Sequence, residues 1–351
     1  MRSRKRITIV MVLCMMVSLC VCGSQSSSQA APAPSPSANP QGAAAGPAET
    51  ETDWPTETIT IMATGSAGGS ADTTCRIMAE GLKKYLGVTV TVGNYPGAGG
   101  MNAANEVIYS KPNGYKLSMV VLPNLCVTYL DPSLGRKETL DSFTFVANAV
   151  TDPGTFFVKG DDSRFPDFAS FIEYAKTNEV TVGTSGVASD DDIFCRMIMN
   201  AYPECKITPV HFSSASEVNP AVMGGHIDAG CGNVGDTFTQ HSEGEIRILG
   251  VAAEERSSFI PEILTLGEQG HNFITGASRG FAFGSDIDPL IAEKMAKAIE
   301  SVLKDPQFIE KYAATGMEVD LKMLDEYTEF AREKEDTVYD MAELFGWSLT
   351  R

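Results

Sequence analysis

The chain has no Cys-x-x-Cys pair, which removes the usual zinc and thiol-redox motifs. It has four histidines, His211, His226, His241 and His271, too scattered to mark a metal site or a catalytic base. There is no Gly-x-Ser-x-Gly elbow, no Ser-His-Asp order near one, and no metal-ligand spacing. No cofactor, metal or catalytic residue is therefore expected, and no motif supports an enzyme. Basic residues are scarce: 27 Lys and Arg face 45 Asp and Glu, a formal net charge of −18. Nucleic acid needs clustered cations and is excluded as a partner on that ground.

Long apolar runs are also missing. Ile7–Val21 is apolar, broken by Thr8 and Ser18, and follows Arg2, Arg4, Lys5 and Arg6. A basic start before a short apolar stretch is a secretory signal, and a membrane span needs about 20 residues. Leu19-Cys-Val-Cys22-Gly-Ser resembles a bacterial lipobox, with Cys22 as the lipidated residue; plain secretion is the alternative. Residues 24–50 hold Ser, Gln, Ala, Pro and Gly and cannot bury enough surface to order themselves. They suit a tether. The organisation expected is signal and lipobox over 1–22, disordered tether over 23–54, and a globular body beyond. Five cysteines belong to that body, Cys75, Cys126, Cys195, Cys205 and Cys231. An odd number cannot all pair, and most read as buried thiols; Cys195 and Cys205 could bridge, though spacing alone does not show it.

What the body has is a repeated rhythm. Thr58–Ala63 alternates as a strand, and Thr64-Gly-Ser-Ala-Gly-Gly69 follows before a helix to Leu86. Val88–Val92 is a second strand, then Asn94-Tyr-Pro-Gly-Ala-Gly-Gly100 leads to a short helix, and Leu117–Leu122 is a third strand. Phe143–Val150 and Thr155–Val158 read as separate extended segments. The plan recurs in Val180–Thr184, the loop Ser185–Ser189 and a helix over Asp190–Ala201. Ile207–Phe212, Ile227–Cys231 and Ile246–Val251 are further strands, and three amphipathic helices close the chain. Strands alternating with helices mean an α/β fold with mainly parallel sheets. Each glycine-rich loop stands where a strand ends and a helix begins, where free N–H groups and the helix dipole receive anions.

The ordered set of Gly68-Gly69-x-x-Asp72-x-x-x-Arg76, Asn94-x-Pro96-Gly-Ala-Gly-Gly100, Pro112-Asn-Gly-Tyr115, Gly225-His-Ile-Asp228 and Pro261–Gly270 resembles Bug-type receptors. These are the extracytoplasmic solute-binding proteins of tripartite tricarboxylate transporters. The resemblance runs from about residue 57 to 345. It departs at Phe212-Ser213-Ser214, at Asp192 in place of a histidine, and at Asn113 in the Asn-Gly-Tyr turn. It implies a two-lobed periplasmic-binding-protein fold of type II, with the ligand cleft between lobe 1 (55–150 and 280–351) and lobe 2 (151–279). It also implies a monomer that captures a small carboxylate-bearing metabolite for membrane permease subunits, held to the membrane by its lipid anchor. A ligand sensor feeding a signalling system would use the same cleft.

The expected ligand-binding residues are Ser66, Ala67, Gly68 and Gly69, then Gly97, Ala98, Gly99 and Gly100, all in the first lobe. Ser185, Gly186, Ser189 and Asp236 would close from the second. No Lys or Arg lies inside either glycine loop, so neutral donors must hold an acid there. Arg76 reads first as an i,i+4 partner of Asp72 and second as a ligand attractor. Ser189 could cap its helix or touch ligand. Of Asp190, Asp191 and Asp192, at least two are expected to be solvated first-turn acids.

Overall fold

The computed structural model describes residues 53–349. The signal, the lipobox with Cys22 and most of the tether lie outside the described residues. In chain order the strands are β1 (Ile59–Ala63), β2 (Val90–Asn94), β3 (Lys116–Leu122), β4 (Phe143–Lys159), β5 (Val180–Thr184), β6 (Ile207–His211), β7 (Ala229–Asn233), β8 (Ile246–Ala252), β9 (Gly276–Gly284) and β10 (Glu318–Met323). The helices are α1 (Ser70–Leu86), α2 (Met101–Ile108), α3 (Asn124–Leu130), α4 (Phe168–Thr177), α5 (Asp190–Ala201), α6 (Ala215–Met223), α7 (Val234–Ser242), α8 (Pro289–Lys304), α9 (Pro306–Ala313) and α10 (Leu324–Asp340).

Two parallel groups form from the two alternating stretches. β1 pairs with β2 and β3, and β5 pairs with β6 and β7. The expectation of mainly parallel sheets holds inside these groups only. β9 runs antiparallel to β3, and β4 runs antiparallel to β7, β8, β9 and β10. The strand order is β2-β1-β3-β9-β4-β7-β5-β6. The two segments expected on either side of residue 152 are one strand of 17 residues. Asp152-Pro153-Gly154 has turn composition, yet it stays extended because β9 pairs it on one side of the break and β7 and β8 on the other.

Alternation along the strands feeds two faces. Ile59, Ile61 and Ala63 of β1 pack with α1 and α8, while Met62 packs with α2 and α3. In the second group Val180 and Val182 join a phenylalanine-rich core of Phe156, Phe165, Phe168, Phe171 and Phe194. Phe157, one residue along β4, points the other way, toward Val218 and Ile248. Fully burying one such side chain contributes about 1.5–3 kcal/mol, so these cores fix where the strand ends lie. All five described cysteines are free thiols. Cys205 donates to the Ile172 carbonyl, and Cys195 meets Cys231 rather than Cys205.

Candidate functional site

A cavity of about 610 Å³ opens at the strand ends that precede α1, α2, α3, α5 and α7. That volume suits a small molecule. Its wall takes Gly69 from the first loop, all four of Gly97–Gly100, and Ser185, Gly186 and Ser189 from the third. Asp236 lines it as well. Nine of the twelve expected residues are thus brought to one cavity. Ser66, Ala67 and Gly68 are absent from its wall.

The loops are held by the protein's own carboxylates. Asp72 Oδ2 accepts from the Gly68 N–H at 3.0 Å and from Arg76 Nε at 2.8 Å, and Asn94 Nδ2 reaches Oδ1 at 2.9 Å. Burial works to raise this carboxyl, but the bonds from Arg76, Gly68 and Asn94 outweigh it and hold it below the ordinary value. Arg76 is therefore the brace of the loop. Asp192 repeats the arrangement with the Ala188 N–H at 3.1 Å and Arg196 Nε at 2.9 Å. Ser189 Oγ accepts from the Asp192 N–H and donates to the Gly186 carbonyl, so it caps α5 while lining the cavity.

The three first-turn aspartates are all buried, against the expectation that two would be solvated. For Asp190 the reason is a pair of remote donors, and for Asp191 and Asp192 the loop N–H groups and Arg196. Asp190 Oδ1 accepts from Asn124 Nδ2 at 3.0 Å and Oδ2 from Asn233 Nδ2 at 2.8 Å. Asp191 accepts from the Ser185 N–H, and burial beside Asp190 pushes its carboxyl up. Two helix starts are closed from afar: the Ser70 N–H donates to Asp236 Oδ1 and the Asp190 N–H to Asn124 Oδ1.

Part of the wall is a buried cation, Arg279 of β9. It donates to Asp152 Oδ2 at 2.5 Å, to Asn233 Oδ1 at 3.0 Å, and reaches Asp236 Oδ2 at 3.5 Å. Burial, with the Asp236 charge beside it, lifts Asp152 to about 6 against the pull of Arg279 and the Gly235 N–H. Sequence reasoning missed Arg279, Asn124, Arg136, Thr128 and His211, all of which line the cavity. Only the departure at Phe212-Ser213-Ser214 pointed near one of them.

The Gly97–Gly100 turn has positive φ at every residue, 98°, 52°, 58° and 94°. A Cβ at Gly99 would lie 1.8 Å from Thr128 Oγ1, so glycine is required there by packing as well as by φ. At Gly69, by contrast, φ is −82° and the nearest atom to an added Cβ is 3.8 Å away. The cavity can therefore offer main-chain N–H groups, serine hydroxyls and buried amides to a polar ligand. Among the described residues no group of three His, Cys, Asp or Glu could hold a metal ion.

Residues 74–343 match the model of the tripartite tricarboxylate transporter family receptor. The chain belongs to that family. A UPF0065 protein from the TAR-I ttuE-ttuC' intergenic region of Agrobacterium vitis is 31% identical over 266 residues, covering 75% of this chain and 76% of the relative. The periplasmic binding protein BugD has a similar structure, with a TM-score of 0.76 and 22% identity, over 83% of this chain and 98% of that one. MatC from Rhodopseudomonas palustris, solved with bound malate, gives a TM-score of 0.75 at 24% identity over 82% and 99%. The receptor thus has the periplasmic-binding-protein fold, and its family is one of extracytoplasmic solute-binding receptors.

Proposed function

We propose that this receptor captures a small carboxylate-bearing metabolite in the 610 Å³ cavity and delivers it to the permease subunits of a tripartite tricarboxylate-type transporter. The observation that carries the reading is the cavity wall itself, where Gly97–Gly100 exposes main chain unshielded by large side chains. Glycine lets N–H groups approach a carboxylate without a buried cation. The malate bound to MatC supports the same class of ligand.

The ligand contacts proposed are Gly69, Gly97, Ala98, Gly99, Gly100, Ser185, Gly186, Ser189 and Asp236, with Ser66, Ala67 and Gly68 behind them. Residues 55–150 and 280–351 would act as one lobe and 151–279 as the other, joined where β4 and β9 cross. The protein works without catalysis, as a monomer. Cys22 would carry the lipid that holds it at the outer face of the cytoplasmic membrane, on the strength of the basic start, the apolar run and Cys-Gly-Ser; Cys22→Ser should then release it into the soluble fraction.

A thermal-shift and calorimetry screen over mono-, di- and tricarboxylates, amino acids and nicotinate tests the binding function. At least one acid should raise the melting temperature, and Gly69→Val, which fits its backbone conformation, should weaken that acid by tenfold or more, about 1.4 kcal/mol. Absence of any stabilising acid, or unchanged binding in a folded Gly69→Val protein, would remove the proposal.

A further inference from the structure

The cavity wall carries six ionisable side chains: Asp131, Arg136, Asp190, His211, Asp236 and Arg279. Five are already engaged. Asp131 Oδ1 accepts from the Ser133 N–H at 2.8 Å, and both oxygens of Asp190 hold amides of Asn124 and Asn233. Asp236 takes the Ser70 N–H, and His211 Nδ1 bonds Thr184 Oγ1 at 2.8 Å. Arg279 is committed to Asp152, Asn233 and Asp236.

Arg136 differs from the rest. It lies on the segment between α3 and β4, partly buried, and its Nε is shut from solvent with no hydrogen-bond partner among the described residues. Its neighbour Glu138 feels the Arg136 charge, but the Glu138 carboxylate accepts its hydrogen bond from the Tyr109 hydroxyl. A guanidinium presents a planar fork that fits a carboxylate with two parallel bonds. A guanidinium on a cavity wall that no carboxylate among the described residues pairs has its outer N–H groups free for an acceptor from the ligand.

The acidic residues of the wall limit where that acceptor can sit. Asp190 and Asp236 line it, Asp152 stands behind, and one cation, Arg279, serves all of them. A second ligand carboxylate placed there would meet like charge. We propose that Arg136 receives the second acidic group of the ligand, so that the receptor selects dicarboxylates over monocarboxylates of the same length. This rests on the carboxylate reading above and adds the residue that sets its specificity. One carboxylate lies on the Gly97–Gly100 turn; the other pairs with Arg136. α3 ties the two positions together, since Thr128, against which Gly99 packs, lies on the helix that runs into the Arg136 segment.

Calorimetry with matched acids tests this: succinate against butyrate, glutarate against valerate, adipate against hexanoate. Each is titrated into wild type, Arg136→Gln and Arg136→Lys, with circular dichroism to confirm the fold. Wild type should prefer the diacid in at least one pair. Arg136→Gln should weaken that diacid by about tenfold or more, the loss expected for one charge-assisted pair, and leave the monoacid unchanged. Arg136→Lys should retain part of the preference, because it keeps the charge and loses the fork. Equal weakening of both acids, unchanged diacid affinity, or a wild type that prefers monoacids overturns the role of Arg136 while the carboxylate site stands. A wild type that binds none of the six acids also overturns the role of Arg136; the carboxylate site itself falls only if the wider screen of tricarboxylates, amino acids and nicotinate is empty as well.

Discussion

The first strand, loop and helix of the body and their counterpart in its middle are built on one plan and finished differently. Thr64, Asp72, Cys75 and Arg76 correspond at one constant offset to Thr184, Asp192, Cys195 and Arg196. In each unit an aspartate at the third helical position takes a loop N–H and an arginine one turn on. The first unit is complete: Asn94, at the end of β2, fills the remaining oxygen of Asp72. The second is not. His211 ends β6 as Asn94 ends β2, though it pairs with Thr184 where Asn94 pairs with Ala63; its Nδ1 is 3.8 Å from Asp192 Oδ1, which is buried without a hydrogen-bond partner among the described residues. The helix starts differ too. α5 has Ser189 as its cap, whereas α1 has Gly69 at the cap position, with no side chain, and borrows Asp236 for the Ser70 N–H. The comparison teaches that a glycine-rich loop before a helix is no free anion site by itself. Much of its donor capacity is spent on aspartates of the same chain, and the Gly97–Gly100 turn is the part of the wall least spent in this way.

Asp236, which reaches the start of α1, and Asn233, which reaches the start of α5, both bond Arg279, so the largest effect should come from removing it. Arg279→Met leaves Asp152 and Asp236 buried without their cation, a loss of about 3–5 kcal/mol by the usual cost of breaking a buried pair. The loss should depend on pH. Burial holds Asp152 at about 6, raised from 3.8, so the folded protein keeps a proton there that the unfolded chain has released. For a raised carboxyl, stability is fully present below the unfolded value and falls as pH rises toward 6. Urea unfolding at pH 5 and pH 8 should therefore show a smaller deficit for Arg279→Met at pH 5, where Asp152 is largely neutral. A deficit below 1 kcal/mol at pH 8, or one that grows on acidification, would mean that Arg279 does not carry the charge balance of this cluster.

The next change makes the second unit resemble the first. His211→Asn places an amide donor where Asn94 stands, within reach of the orphaned Asp192 Oδ1. The hydrogen bond gained is to a charged group, about 1.5–3 kcal/mol, and the Thr184–His211 bond lost is a neutral one of about 0.5–1.5 kcal/mol. A net stabilisation of about 1 kcal/mol is expected in urea denaturation. The gain should vanish in the Asp192→Ala background, which separates it from a general effect of removing His211. A destabilised His211→Asn protein would mean that the resemblance between the units stops at the backbone.

The plan of these units was legible in the sequence, and their finish was not. Alternation in Thr58–Ala63 and Val180–Thr184, and the helical spacing after each loop, are local signals that the packing kept. The pairing of Arg76 with Asp72 is also local, one helical turn apart. Residues whose partners are distant escaped. Arg279 sits in Ser-Arg-Gly, which breaks the strand pattern of β9, and its partners are residues 152, 233 and 236. Asn233-Val-Gly-Asp reads as a turn, yet it opens α7 because Asp152 Oδ1 accepts from the Gly235 N–H. β10 follows a helix end and pairs with β4 roughly half the chain away, so nothing near it in sequence predicts it. Arg136 lies in a segment without periodicity, where only the cavity gives its position meaning.

The smallest expected effect completes the comparison from the other side. Gly69→Ser gives α1 the cap that Ser189 gives α5. The backbone already suits it, with φ −82° and ψ 170° close to those of Ser189 at −78° and 162°. An added Cβ meets nothing nearer than 3.8 Å, so no strain opposes the change. The serine hydroxyl would accept from the Asp72 N–H, as Ser189 accepts from that of Asp192. Glycine is itself a tolerable cap, so the gain over it is only a few tenths of a kcal/mol. Part comes from the unfolded chain, which loses backbone freedom when glycine is replaced. A careful urea series against wild type should resolve a midpoint shifted upward. Gly69→Ala separates the two sources, since it removes the same unfolded-state freedom without an acceptor. If Gly69→Ala stabilises as much as Gly69→Ser, the hydroxyl adds nothing. α1 would then be closed sufficiently by Asp236, and the two helix starts would be alternative solutions rather than one finished and one left open.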